Sequence, residues 1–197
     1  IIANIVFLPT LAMPRPAVVF GQRVWAHGVT TALKHFAQLD VEVRGKINSP
    51  RGPHIIAAKH QSAWDTIIFH ILVQDPAIVM KQELLKIPVY GWYCIKSKMI
   101  PIDRRTGHSS LKRMIASSKA AATANRPIVI FPQGKRVVPS VDQPYLPGVT
   151  ALYKYLNLPV VPVALNSGLF WPNSGLKCKQ GTIVIEFLEP IGPELSR

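Results

Sequence analysis

The 197 residues, 48% of them hydrophobic, suffice to bury one sizeable core, and this length favours one domain over two. Twenty-three Lys and Arg against 10 Asp and Glu give a formal net charge of +13, which points to an anionic surface or substrate. A mean hydropathy of +0.20 and the lack of basic runs interleaved with aromatics speak against nucleic acid and for anionic lipid.

Residues 1–13 are almost wholly apolar but shorter than the ~20 residues a bilayer-spanning helix needs, so they read as the tail of a span that starts upstream. The start at Ile1 and the end at Arg197, with no closing element, suggest a piece of a longer protein. After Pro14 and Pro16, the stretch 17–39 sets Val18, Trp25, Val29, Leu33 and Phe36 on one helical face and Gln22, Arg23, His27, Thr30, Lys34 and Gln38 on the other. No acidic residue precedes Asp40. A basic polar face opposite an aromatic-containing apolar one suits a helix lying in the interface of an anionic membrane, and a core-facing helix is the alternative. Residues 1–39 are thus expected to form an N-terminal amphipathic, membrane-docking helical element, with residues 40–197 as the catalytic domain.

Beyond Asp40 the pattern changes to short β-rich runs at 41–44, 54–58, 77–80, 99–102, 127–131, 160–165 and 182–188. Helical stretches are expected at 62–73, 109–124 and 148–156. This alternation predicts an α/β domain with a central, largely parallel or mixed sheet flanked by helices. Cys94 and Cys178 fit no metal or redox spacing and read as unpaired thiols of a reducing, cytoplasmic environment.

The segment Ile55-Ile56-Ala57-Ala58-Lys59-His60-Gln61-Ser62-Ala63-Trp64-Asp65 runs from an apolar strand into a helix start. His60 falls in the connecting turn and Asp65 in the first helical turn. Histidine is suited to take a proton near neutral pH, and a neighbouring carboxylate fixes its tautomer and stabilises the imidazolium. Ser62-x-x-Asp65 is also a capping box, in which Asp65 would serve the helix terminus instead.

The later blocks weigh this choice. They are Lys81-Gln82-Glu83-Leu84-Leu85-Lys86-Ile87-Pro88, Gly91-Trp92, Ile100-Pro101-Ile102-Asp103-Arg104, Phe131-Pro132-Gln133-Gly134-Lys135-Arg136, and Leu158-Pro159-Val160-Val161-Pro162-Val163-Ala164. With His60-x4-Asp65, in this order and spacing, they resemble the four motifs of the 1-acyl-sn-glycerol-3-phosphate acyltransferase family over roughly residues 40–192. The resemblance implies an α/β glycerolipid acyltransferase behind a membrane-docking helical element, converting lysophosphatidate to phosphatidate. It implies His60 as general base, Asp65 as its partner, Arg104 as the phosphate anchor, and Gly134 and Arg136 at the acceptor site. An arginine fork matches phosphate oxygens, and a glycine lets backbone approach a ligand.

The third block departs from the family's usual F-P-E-G-T-R. Gln133 keeps the shape of the glutamate without its charge, and Lys135 adds a cation beside Arg136; both are candidate substrate-binding residues. The expected partners are a lysophospholipid acceptor, acyl-CoA or acyl carrier protein as donor, and an anionic membrane surface at its cytoplasmic face. No cofactor or metal is expected, because the chain has no P-loop, no paired-cysteine site and no H-E-x-x-H helix. Gly107-His108-Ser109-Ser110-Leu111 lacks the last glycine of a nucleophile elbow, so direct transfer is expected rather than an acyl-serine. Another acceptor, such as glycerol 3-phosphate or a different lyso-lipid, and a non-catalytic membrane-binding module are the competing readings.

Overall fold

The computed structural model describes residues 8–103, 105, 107–172 and 177–193. Helix α1 (Arg15–Ala37) ends where Gln38 adopts a left-handed conformation (φ 50°), which turns the chain into strand β1 (Leu39–Arg44). There follow β2 (Ile55–Ala58), α2 (Trp64–Leu72), β3 (Ala77–Lys81), α3 (Tyr90–Lys96), β4 (Ile100–Ile102) and α4 (Gly107–Thr123). The chain continues through β5 (Ile128–Ile130), α5 (Gly148–Leu156), β6 (Val160–Leu165), α6 (Ser167–Phe170) and β7 (Gly181–Phe187). Among the described residues seven strands form one sheet in the order β1-β7-β6-β2-β5-β3-β4, parallel throughout except for the antiparallel pair β6/β7. The expected α/β architecture with a mostly parallel sheet is what is observed.

The central strands lack polar alternation because both of their faces are covered. In β2, Ile56 and Ala58 pack into a layer with Trp64 and Phe69 of α2, whereas Ile55 joins Met114 of α4 and Leu152 of α5 on the other side. Parallel pairing brings the C-terminal ends of β2, β5 and β3 to one edge of the sheet. Open α/β sheets place ligands at such an edge.

Helix α1 departs from the expected facing. Val18 is buried and Trp25, Val29 and Leu33 are half-buried, so most of the apolar stripe faces the domain, where α1 packs against α2 and α3. Phe36, assigned from periodicity to that stripe, is instead 91% exposed, as the helix ends one residue later and the chain enters the sheet. Met13, Phe20 and Val24 also face outward. The first turn of α1 is tied down by Arg15, whose guanidinium pairs with Asp75 (2.5 and 2.9 Å) and reaches the Ser97 carbonyl. Arg126, buried, pairs with the same carboxylate at 3.1 Å and donates to the carbonyls of Asp75, Pro76, Ser97 and Lys98. Among the described residues no helix is long and apolar enough to cross a membrane.

Helix α3 was not expected. It follows a γ-turn in which Val89 has φ 65° and Tyr90 N–H bonds the Pro88 carbonyl (2.7 Å), a rare conformation for a β-branched residue. Gly91 accounts for the glycine of the second motif: a Cβ there would sit 2.0 Å from the Leu85 carbonyl oxygen. The short helix α6 was also unforeseen, and α2 starts at Trp64 rather than at 62.

Candidate active site

His60 sits in the turn after β2, at the sheet edge formed by the strand ends. Its Nδ1 lies 2.9 Å from Asp65 Oδ2, and the same oxygen accepts the backbone N–H groups of Gln61 (2.6 Å) and Ser62 (2.8 Å). Asp65 Oδ1 accepts a hydrogen bond from the Ser167 hydroxyl at 2.5 Å. Asp65 and Ser167 are fully buried, so the carboxylate has no solvent contact and is held entirely by donors. A carboxylate facing Nδ1 fixes the proton there and leaves Nε2 with a free lone pair. The His60 side chain is 15% exposed, enough for a reactant to reach that nitrogen.

Asp65 also serves the start of α2, though not through the expected capping box. The N-cap is Ala63, which makes no side-chain cap bond. Ser62 Oγ accepts from Trp64 N–H (3.2 Å) rather than from Asp65 N–H, while Asp65 accepts from Ser62 N–H. One oxygen serves the helix terminus and the imidazole together.

The loop from Phe131 to Val137 encloses His60. The Phe131 ring stacks on the imidazole with centroids 4.2 Å apart and planes at 25°. Gln133, 4% exposed, accepts the His60 backbone N–H through Oε1 (3.2 Å), and Val137 N–H donates to the His60 carbonyl (2.7 Å). An amide oxygen fulfils this acceptor role as a carboxylate would, so the glutamine requires no other geometry. Gly134 has φ 70°, the left-handed region that glycine enters without steric cost, and bends the loop so that Lys135 and Arg136 project into solvent.

A cavity of about 520 Å³ opens beside His60 and runs between α1, α2, α3 and β3. Its wall is largely apolar, with Trp25, Ile67, Ile78, Met80, Leu84 and Met99 among its lining, and Gly134, Lys135 and Arg136 stand with His60 at one end. Hence the described residues bring His60, Asp65, Gln133, Gly134, Lys135 and Arg136 into one neighbourhood. Arg104 lies outside the described residues. Two members escaped the sequence reading. Lys81, at the C-terminal end of β3, lines the cavity and pairs with Glu83 at 3.4 Å; its place after an apolar strand was the available signal. Ser167 lies 102 residues from Asp65, and nothing local marked it. Among the described residues Cys94 and Cys178 form no disulfide, and Cys94 is buried. Among the described residues no three His, Cys, Asp or Glu side chains group as a metal site.

A histidine with a carboxylate behind it, at a parallel-sheet edge and the mouth of an apolar cavity, is an arrangement that can act as a general base on a substrate with an apolar part. The family described as Acyltransferase matches residues 40–166, and the chain belongs to that family. It is 33% identical over 172 residues to the 1-acyl-sn-glycerol-3-phosphate acyltransferase of Pseudomonas aeruginosa, an alignment covering 87% of this chain and 63% of that protein. The Saccharomyces cerevisiae protein of the same name is 27% identical over 167 residues, 82% of this chain and 55% of its own length. The chain thus spans less than two thirds of these relatives. The crystal structure of the Thermotoga maritima 1-acyl-sn-glycerophosphate acyltransferase shares the fold, with a TM-score of 0.75, 24% identity, and coverage of 93% of this chain and 73% of that one.

Proposed function

We propose that the chain transfers a fatty acyl group from acyl-CoA or acyl-ACP (acyl carrier protein) to the sn-2 hydroxyl of 1-acyl-glycerol-3-phosphate, giving phosphatidic acid. The carrying observation is the free Nε2 of His60 at the cationic mouth of an apolar cavity. His60 Nε2 accepts the hydroxyl proton as that oxygen attacks the thioester carbonyl, and Asp65 stabilises the imidazolium. The C–O bond forms, the C–S bond breaks, and the proton passes from the imidazolium to the departing thiolate. The acyl chain occupies the apolar cavity. Lys81, Lys135 and Arg136 read the acceptor phosphate together with Arg104, whose role rests on the motif resemblance. A phosphate monoester carries close to two negative charges near neutral pH, which suits several cations.

In this reading the protein acts at the cytoplasmic face of an anionic membrane. The outward side chains Met13, Phe20, Val24 and Phe36 support this, as does a shallow surface depression lined by Leu11, Trp92, Ile95 and Lys96. Apolar residues beside cations suit a headgroup interface.

The test is product analysis by mass spectrometry with saturated acyl thioesters and a panel of acceptors that includes lysophosphatidate, glycerol 3-phosphate and a lysolipid without phosphate. Wild type forms phosphatidate, and His60→Ala loses on the order of 10²–10⁴-fold in rate. A loss below about tenfold removes His60 as base, and equal use of the acceptor without phosphate removes the phosphate site.

A further inference from the structure

The carboxylate behind His60 is held from two directions. Oδ2 of Asp65 takes its three donors, His60, Gln61 and Ser62, from the turn that carries the histidine. Oδ1 faces a different part of the chain, and among the described residues its one hydrogen-bond donor is the Ser167 hydroxyl. The sheet explains how a residue 102 positions away arrives there. Parallel pairing sets Val163 of β6 beside Ala58 of β2, and Lys59 N–H bonds the Val163 carbonyl (3.4 Å), so the chain leaving β6 runs past the catalytic turn.

The residues on either side of Ser167 fix it in place. Gly168 N–H donates to Gln61 Oε1 (3.1 Å), and Gln61 is the residue whose own N–H lies on Asp65 Oδ2. A Cβ on Gly168 would come within 2.9 Å of Gln61 Cβ and 3.0 Å of the Pro139 ring, so the backbone of α6 is seated directly on the turn. Asn166 Oδ1 accepts Val184 N–H (2.8 Å) and ties the same segment to β7. Ser167 and Asp65 are both fully buried, so the hydroxyl takes the place that water holds at an exposed carboxylate.

A hydroxyl bonded to a carboxylate favours the charged form and shares the charge of the oxygen it touches. A buried oxygen without a donor does the reverse: the anion is destabilised, and the couple it forms with an imidazole takes up a proton more readily. We propose that Ser167 is a positioning residue for proton transfer, its hydroxyl holding Asp65 as an anion turned towards Nδ1 and setting the proton affinity of the His60–Asp65 couple. This rests on the acyltransferase reading above. Ser167 acts on the base through Asp65 alone, from a strand end that the local motif does not contain.

The experiment follows phosphatidate formation from an acyl thioester and lysophosphatidate as a function of pH in wild type, Ser167→Ala, Ser167→Thr and Asn166→Ala. In Ser167→Ala kcat falls about tenfold while KM for both substrates stays within about twofold, and the acidic limb of kcat/KM moves up by about one pH unit, the effect of one lost hydrogen bond to a charged group. The cations Lys81, Lys135 and Arg136 share the cavity with His60, as do His70, Tyr90, Tyr93 and Cys94, and all are the same in every variant. Ser167→Thr keeps the hydroxyl and returns the limb to its wild-type position. Asn166→Ala loosens the same segment with the hydroxyl in place, and its limb does not move. A limb in Ser167→Ala within about 0.3 pH unit of wild type overturns the inference. So does an equal displacement in Asn166→Ala, since loosening of the segment would then be the cause. Should Ser167→Ala not fold, Ser167→Cys keeps a side chain of similar size with a much weaker donor and carries the same comparison. An unmoved limb in a system whose wild type forms phosphatidate defeats this inference only, whereas absence of transfer by wild type to every acceptor defeats the acyltransferase reading as well.

Discussion

Asp65→Asn separates the two duties that the carboxylate combines. In the wild type Oδ2 takes three donors, from His60, Gln61 and Ser62, and Oδ1 takes the Ser167 hydroxyl. An asparagine can keep its oxygen towards the three donors and turn its NH2 towards Ser167, whose hydroxyl can accept instead of donate. This arrangement preserves the cap, the Nδ1–H tautomer and the packing. Hydrogen bonds to a charged acceptor contribute about 1.5–3 kcal/mol and neutral ones about 1, but the amide avoids the desolvation of a buried charge. The net stability change is therefore within about 2 kcal/mol, a Tm shift of roughly 4–8 °C for a chain of this size. The imidazolium loses its counter-charge, and kcat falls on the order of 10²–10⁴-fold. Initial rates of phosphatidate formation, measured beside thermal unfolding, test both halves. Activity within about tenfold of wild type would refute the claim that the charge of Asp65 assists proton transfer.

Ser167→Ala leaves Asp65 Oδ1 buried without its donor, which should cost about 1–3 kcal/mol in chemical denaturation and lower kcat more than it raises KM. Arg136→Ala should chiefly raise the KM for lysophosphatidate, and Arg136→Lys should recover only part of the loss because lysine lacks the planar fork. Lys135→Thr should be mild, and a large fall in activity would make Lys135 a principal anchor; steady-state kinetics with both substrates varied resolves these cases. With the His70 imidazole pushed from 6.5 down to about 4, the unfolded chain takes up a proton in that interval that the folded chain refuses. Stability therefore falls as pH drops through that window, and urea midpoints at pH 7 and pH 5 should differ less in His70→Leu than in the wild type.

The contact between His60 and Asp65 was legible because it is local: a strand, a turn and a first helical turn bring the two together whatever the rest of the chain does. The flanking blocks were legible as strand-end segments, and the parallel topology gathers strand ends at one edge. Ser167 was not, since its contact with Asp65 depends on β6 lying beside β2, a pairing no local pattern encodes. Periodicity sorted the faces of α1 into apolar and polar but not into inward and outward. That assignment is made by the docking of Arg15 on Asp75 and by the exit of the chain at Gln38, which together leave Phe36 outside. Helix α3 was hidden because Pro88 reads as a breaker, and the helix starts only after the positive-φ turn at Val89. The cavity was hidden for a related reason, being the space left where α1 and α3 meet α2 and β3.

The grip of the 131–137 segment on His60 turns the site into a gauge. Both backbone hydrogen-bonding groups of the histidine are anchored in that segment, one through Gln133 and one through Val137, with Lys135 and Arg136 between the two anchors. The backbones of His60 and of these two cationic residues are thereby tied into one frame. A ligand whose anionic head is registered at the cations offers Nε2 only the hydroxyl lying at the matching distance. In the proposed acylation, positional selectivity on a glycerol backbone would then need no contact with the rejected hydroxyl. It would follow from the length of that interval, as a caliper accepts one dimension and passes over the rest.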